Sequence, residues 1–113
     1  RAHARGALDA ADRAAVLSGA HAVFATSALA AWPWRVVEAM ALAVPIVAVD
    51  SGVHRDVLAD GGVLAPAEEF TDAAVAALEE ASSRRLRVLA ADRARAFSWA
   101  SSAERVWSLH AEL

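Results

Sequence analysis

The sequence predicts an α/β domain built on a parallel sheet, and three observations support this prediction. The runs IVAVD (46–50) and VLA (63–65) are almost continuously apolar, which is typical of strands covered on both faces. The run HAVFATS (21–27) contains β-branched and aromatic residues and is bounded by turn-forming ones. Helical patterns alternate with these runs, which favours a parallel sheet with helices on both faces. Because only three or four strands are predicted, we expect a partial Rossmann-like sheet with flanking helices and a C-terminal helical run.

The first half of the chain predicts two helix–strand pairs. Asp9 is a favourable helix N-cap, and apolar residues follow it at helical spacing. Pro33 suits the first turn of a helix, where a missing N–H costs nothing, and Pro45 prevents that helix from continuing. The predicted elements are a helix over 10–19, a strand over 21–27, a helix over 34–43 and a strand over 46–50.

The second half predicts one more strand and then helices. Thr71 is the expected cap of one helix, and Ser82 or Ser83 the expected cap of the next. The last helix carries an apolar stripe that includes Trp107, which we expect, with Trp99, in the core or at a domain interface. The predicted elements are a helical turn over 54–59, a strand over 63–65 and helices over 71–81, 83–96 and 100–112.

The composition limits the class of protein. With 113 residues the chain is long enough for one domain. The net charge is −3 and the 11 cationic residues are scattered arginines, so we expect no nucleic-acid partner. The apolar runs are shorter than the ~20 residues that a membrane span needs, although association of a full-length protein with a membrane surface stays open. The absence of cysteine excludes thiolate metal sites and agrees with a cytoplasmic location.

The loops after the predicted strands are the expected place for a ligand, because ligands of open parallel sheets bind at the carboxyl ends of strands. The helix that begins near Pro33 directs its N-terminus at that edge, and a helix N-terminus suits a diphosphate. Glu38 lies about one turn into this helix and can accept hydrogen bonds from a diol such as ribose. The alternative is that Glu38 pairs with Arg35 on a solvated helix face, at i,i+3 spacing.

Residues 27–50 resemble a motif of the retaining glycosyltransferases with the GT-B fold, the group that includes sucrose-phosphate synthases and bacterial mannosyltransferases. Their motif reads roughly P-S-x-x-E-G-F-G-L-P-x-L-E-A-M-A-x-G-x-P-V-V-A-S-D, and this chain has EAMALAVPIVAVD from Glu38 to Asp50. The segments RGALDAADRAAVLSGAHAVFATS, DSGVHRDVLADGGVLAP and RARAFSWASSAERVWSLH are similar to further family segments in order and spacing. The resemblance implies that 1–113 is a single partial domain. It would be half of a nucleotide-sugar-binding C-terminal domain, which agrees with a first residue, Arg1, that is not methionine.

The resemblance also implies roles for individual residues. Glu38 would bind the ribose hydroxyls of the donor nucleotide. The turn before its helix would meet the diphosphate and the sugar, and Ser27 and His54 would border the nucleotide site. The turn residues implied in donor binding are Trp32, Trp34 and Arg35. Trp32 and Trp34 have two interpretations. They could stack on a base or sugar of the donor, or they could cover the sheet edge where a partner domain docks, and we favour the packing role.

Two positions depart from the family pattern. The first glutamate of the motif, which contacts the sugar, corresponds to Ala30, and Pro33 replaces a residue whose N–H would meet the donor. A shifted alignment places Trp32 where the glutamate belongs. The departures fit a different donor sugar, a relaxed retaining mechanism or an inactive homologue.

The predicted function is the donor-binding portion of a retaining glycosyltransferase, which would transfer a glycosyl group from a nucleoside-diphosphate sugar to an acceptor. The nucleotide sugar is a substrate, and no cofactor or metal is implied. We expect the piece alone to be inactive, because the family's phosphate-binding Arg and Lys and its acceptor domain lie upstream. Its expected partner is therefore the N-terminal half of the same protein. The alternative is a degenerate, non-catalytic glycosyltransferase-like module used for nucleotide binding or protein interaction.

Overall fold

A parallel three-stranded sheet forms the centre of the structure, a computed structural model that describes residues 3–4, 6–28 and 31–113. Its strands are β1 (Val23–Ala25), β2 (Ile46–Val49) and β3 (Val63–Ala65), in the order β1-β2-β3. Ala25 pairs with Ala48 and Val49 pairs with Ala65, so the carboxyl ends of all three strands meet at one edge. The predicted α/β class and parallel sheet are confirmed.

Six α-helices accompany the sheet in the described part of the chain. They are α1 (Ala10–Ser18), α2 (Trp34–Ala41), α3 (Gly52–Leu58), α4 (Phe70–Ala77), α5 (Glu80–Ala94) and α6 (Trp99–Ala111), with a 3-10 turn over Ala67–Glu69 before α4. None of these helices is both long and apolar enough to cross a lipid bilayer.

Three serine and aspartate side chains cap helices, and two predicted caps are wrong. Asp9 accepts a hydrogen bond from the Asp12 N–H at 2.8 Å, as predicted. Ser51 and Ser98 cap α3 and α6 in the same way. Thr71 lies inside α4, because the preceding 3-10 turn leads directly into that helix one residue earlier. Neither predicted serine caps α5, because the chain leaves its extended conformation at Glu79 (ψ 140°) and the helix already begins at Glu80.

The core lies on both faces of the sheet. Ile46 and Ala48 pack against α2 and α3 on one face, and Val47 packs against α4 and α5 on the other. This division follows from the alternation of side chains along a strand. Val36, Ala39 and Met40 form the buried face of α2, while Ala41 is exposed, because α2 packs against α5 as well as against the sheet.

The last helix is not part of this core. No residue of α6 is buried, and the side chains of Trp99 and Trp107 are 87% and 72% exposed. A core position for these tryptophans is therefore wrong within the described residues, and an interface position stays a prediction. His21 and His110, which fall on apolar stripes of the sequence, are also exposed.

Candidate functional site

A cleft lies at the carboxyl edge of the sheet, where the chain leaves β1 and β2. Its volume is about 510 Å³, and we call it the sheet-edge cleft. It forms because β1 and β2 are parallel neighbours, so their exits open side by side onto the start of α2 and onto α3. The predicted site residues that line it are Ser27, Trp32, Trp34, Arg35 and His54. Five of the six predicted site residues therefore lie at one place, while their roles in donor binding stay predictions.

The N-terminus of α2 faces the cleft, but most of its first N–H groups are already bonded. The Trp34 N–H donates to the Trp32 carbonyl oxygen at 3.0 Å. The N–H groups of Val36 and Val37 donate to the Pro33 carbonyl oxygen at 3.0 and 3.2 Å. Among the described residues, the Arg35 N–H has no such acceptor. The anion-binding capacity of this helix end is therefore concentrated at Arg35, which adds its guanidinium.

The two tryptophans before α2 pack by their edges. The Trp32 and Trp34 ring centroids lie 6.1 Å apart with an interplanar angle of 74°, and Trp32 lies 5.9 Å from Phe97 at 66°. Arg93 covers the other side of this cluster, with its guanidinium carbon 5.0 Å from the Phe97 ring centroid. Trp32 is thus an anchor between the loop and the end of α5. Trp34 is the more exposed of the two tryptophans, at 59%.

Glu38 lies outside the sheet-edge cleft, in a separate hollow of about 300 Å³ between α1 and α2. Its Oε2 accepts from Arg13 Nε at 2.8 Å, and its Oε1 accepts from Arg13 Nη2 at 3.1 Å. Oε1 also accepts from Arg35 Nη1 at 3.2 Å. The i,i+3 spacing in the sequence indicates the pair with Arg35, but nothing in it indicates the bidentate pair with Arg13.

The arginine pair explains the electrostatics of Glu38. The hydrogen bond from Arg13 is the main cause that lowers the pKa of Glu38 below its ordinary value, and partial burial opposes it. The carboxylate is therefore ionised at neutral pH. The sequence does hold an indication that Arg13 faces inward. Arg13 lies four residues before Leu17 on α1, so the two side chains share one face of the helix, and both line the hollow between α1 and α2. A charged residue on such a stripe needs a partner, but nothing local indicated one 25 residues away.

Arg35 connects the two hollows. It lines the sheet-edge cleft and also bonds to Glu38, while 62% of its side chain stays exposed. An exposed arginine can exchange partners at small cost, because exposed ion pairs contribute only about 0.2–1 kcal/mol. Arg35 thus lines the cleft while it bonds to a carboxylate that lies outside it.

His54 is on α3, within the helical turn predicted over 54–59. It is 5% exposed. Its Nδ1 lies 2.7 Å from the Val49 carbonyl oxygen, and its backbone N–H donates to Ser51 Oγ at 3.2 Å. Beside it, Arg55 pairs with Asp50 at 2.7 Å, which closes the loop after β2.

The remaining predicted positions can be placed briefly. Ala30, where the family motif has its first glutamate, lies outside the described residues. In the described part of the chain, no three His, Asp or Glu side chains are arranged to share a metal ion.

The fold and this site agree with the result of a comparison with known families. The family model "Glycosyl transferases group 1" matches residues 3–97, which is most of the chain. The chain belongs to the group 1 glycosyltransferases. The matched region contains the sheet-edge cleft, Glu38 and both arginines that bind it, and it ends immediately before α6. No curated protein matches the chain. Family membership supports nucleotide-sugar binding of the glycosyltransferase type. It also supports a relationship of this chain to the C-terminal domains of GT-B glycosyltransferases.

Proposed function

We propose that this chain is the donor-binding part of a retaining glycosyltransferase of the GT-B type, one that takes a glycosyl group from a nucleoside-diphosphate sugar. One observation carries the proposal: a member of the group 1 family has a cleft at the carboxyl edge of its parallel sheet, beside a helix N-terminus where the Arg35 N–H has no acceptor among the described residues. Parallel sheets bind ligands at this edge, and helix N-termini favour phosphate groups.

In this proposal the diphosphate binds at Arg35 and the ribose at Glu38. Each carboxylate oxygen offers two acceptor positions. Arg13 and Arg35 occupy three of the four positions on Glu38, both on Oε1 and one on Oε2. A ribose diol that engages both oxygens therefore needs Arg35 to leave Oε1. The exposed guanidinium of Arg35 would then turn to the diphosphate, so that binding of the two donor groups is coupled.

Arg13 has a different role from Arg35. Its two contacts with Glu38 are bidentate, and its side chain is only 26% exposed. Bidentate arginine–carboxylate pairs fix the plane of the carboxylate as well as its charge. Arg13 would thus keep Glu38 oriented while the donor binds. Arg13 would stay in place, whereas Arg35 would move from Glu38 to the diphosphate.

The transfer step would take place only in the whole protein. In the retaining mechanism that we propose, the donor phosphate assists departure of the leaving group in a cleft between two domains, and no described residue is assigned as catalytic. The apolar stripe of α6 supports this view, because its tryptophans are largely exposed here. We propose that the N-terminal half of the same protein packs on that stripe.

A second candidate function is a non-catalytic module of the same family. Two observations favour it: Arg13 and Arg35 already neutralise Glu38, and Pro33 at the N-cap of α2 has no N–H for a phosphate. Replacement of Ala30 by glutamate separates the candidates. We expect donor turnover by the full-length protein to rise, because the variant restores an acid where the family motif has one. Turnover that stays at background would favour the non-catalytic module.

The proposal is tested by titration calorimetry of the full-length protein with UDP, GDP and ADP. We expect one of the three to bind, and Glu38→Ala to weaken it by about 1.5–3 kcal/mol, the usual contribution of hydrogen bonds to a charged group. Glu80→Ala is the matched control, because Glu80 also accepts from an arginine on its own helix (2.7 Å) but lies far along the chain on α5. An unchanged affinity in Glu38→Ala would remove Glu38 from the site.

A further inference from the structure

We propose that Nε2 of His54 accepts a hydrogen bond from a hydroxyl group of the transferred sugar. This inference rests on the proposed function, because it takes a nucleoside-diphosphate sugar as the ligand of the sheet-edge cleft. It assigns a sugar contact, and hence a determinant of donor specificity, to a residue that packs beneath the exit of β2.

The hydrogen bond at Nδ1 determines the tautomer of the ring. A carbonyl oxygen can only accept, so Nδ1, 2.7 Å from the Val49 oxygen, must carry the proton. In the neutral ring Nε2 is then an acceptor with a free lone pair. An acceptor of this kind suits a hydroxyl group, whereas a phosphate oxygen needs a donor.

Nε2 is accessible although the residue is buried. It has no hydrogen-bond partner among the described residues. No side-chain nitrogen or oxygen in the described part of the chain is both fully buried and unpartnered, so Nε2 keeps contact with solvent. The solvent space that His54 borders is the sheet-edge cleft. His54 thus lines the proposed ligand site while its Nε2 has no partner among the described residues, and the inference takes this nitrogen as the one that meets the ligand.

The polar groups of the cleft are distributed as a diphosphate sugar requires. Hydrogen-bond donors lie on the α2 side, where Arg35 offers its backbone N–H and its guanidinium. The acceptor of His54 lies on the α3 side, beyond the exit of the neighbouring strand β2. A ligand with its phosphates at Arg35 would therefore reach His54 with the sugar.

His54 is also held firmly enough to select a ligand. Its ring is fixed by the Val49 oxygen and its backbone by Ser51, at the capped start of α3. A side chain positioned in this way loses little conformational freedom on binding, so its hydrogen bond discriminates effectively between ligands.

The test compares paired ligands on the full-length protein: UDP with UDP-glucose, GDP with GDP-mannose and ADP with ADP-glucose. His54→Asn keeps an N–H donor near the position of Nδ1 and removes Nε2. We expect it to weaken the nucleotide sugar about tenfold and to leave the free nucleotide unchanged. His54→Gln, whose amide oxygen can lie near the position of Nε2, should restore part of the loss. His21→Asn, at an exposed position, is the control.

A measurement on the unmodified protein covers the case in which the variants do not fold. In ¹H–¹⁵N spectra of the histidine rings, the His54 Nε2 signal should shift with the nucleotide sugar and stay in place with the nucleotide. Equal losses for both ligands, or no loss and no shift, would overturn the sugar contact while nucleotide binding stands. Failure of all three nucleotides and all three sugars to bind would overturn the proposed function, and this inference with it.

Discussion

Arg35 offers the most direct test of the coupling between the two hollows, because its removal should change the affinities of two related ligands in opposite directions. In Arg35→Ala the contact with Glu38 Oε1 at 3.2 Å is lost, and so is the guanidinium beside the sheet-edge cleft. The bidentate contact from Arg13 remains and keeps the carboxylate oriented. Since 62% of the Arg35 side chain is exposed, we expect no loss of folding.

The expected magnitudes follow from what each ligand gains and loses. A nucleoside without phosphates has to displace Arg35 from Oε1, which costs what an exposed ion pair contributes, about 0.2–1 kcal/mol. The variant removes this cost, so the nucleoside should bind roughly 1.5- to 5-fold more tightly. A nucleoside diphosphate gains the same amount but loses a charge-assisted hydrogen bond of about 1.5–3 kcal/mol, so it should bind more weakly overall, by up to about 100-fold.

The assay is a titration of the full-length protein with the nucleoside and its diphosphate, using ligand-observed NMR for the weaker of the two. Both ligands carry the base, uracil, guanine or adenine, whose diphosphate binds in the calorimetric titration. Arg84→Ala is the matched control, since Arg84 also pairs with a glutamate on its own helix and is 67% exposed. The exchange of Arg35 between Glu38 and the diphosphate is refuted if both ligands weaken together or if neither affinity changes.

The remaining predictions concern the stability of the fold. Glu38→Gln should destabilise the protein at neutral pH but not in strong acid. Because the pKa of Glu38 is lowered in the folded protein, its ionised form stabilises the fold fully above the ordinary value of 4.5, and this stabilisation is lost as the pH falls through the lower folded value. Urea unfolding of both proteins checks this, and a difference that persists in strong acid would contradict it. Leu58→Ala should cost about 3 kcal/mol in the same assay because Leu58 is 0% exposed, whereas Leu78→Ala, 50% exposed, should cost far less. Gly62→Ala should cost about 1–3 kcal/mol because its Cβ would lie 3.0 Å from the Ile46 carbonyl oxygen, while Gly52→Ala has open space and should be nearly neutral. Trp107→Ala should lower the melting temperature of the full-length protein but not that of residues 1–113, if the α6 stripe is covered there; equal effects on both would contradict a domain interface.

Local chemistry was enough to predict the elements of the fold. The alternation of apolar strands with helices predicted the parallel sheet, and Asp9 and Pro45 predicted where a helix begins and where another cannot continue. The wrong caps at Thr71 and at Ser82 or Ser83 share one cause. A turn or an extended residue just before the helix let it begin earlier, and the conformation of such a residue depends on how the neighbouring elements pack.

The candidate site was predicted in part, for a similar reason. The exits of parallel strands gather at one edge whatever the side chains are, so Ser27, Trp34 and Arg35 could be placed together from their order alone. The direction of Glu38 could not, because it depends on how α2 is rotated against α1 and α5. That rotation turns the carboxylate towards Arg13 and away from the cleft.

The sequence by itself determined that this chain forms a parallel α/β sheet, because period, caps and strand composition act over a few neighbouring residues. Its link to glycosyltransferases came from the resemblance of residues 27–50 to a family motif. Only the tertiary structure decided that Arg13 holds Glu38, that a buried His54 lines the cleft with its Nδ1 on the Val49 oxygen, and that the α6 stripe lies exposed. These features depend on contacts between residues far apart in the chain. Such contacts exist only after the helices have packed against the sheet at particular angles.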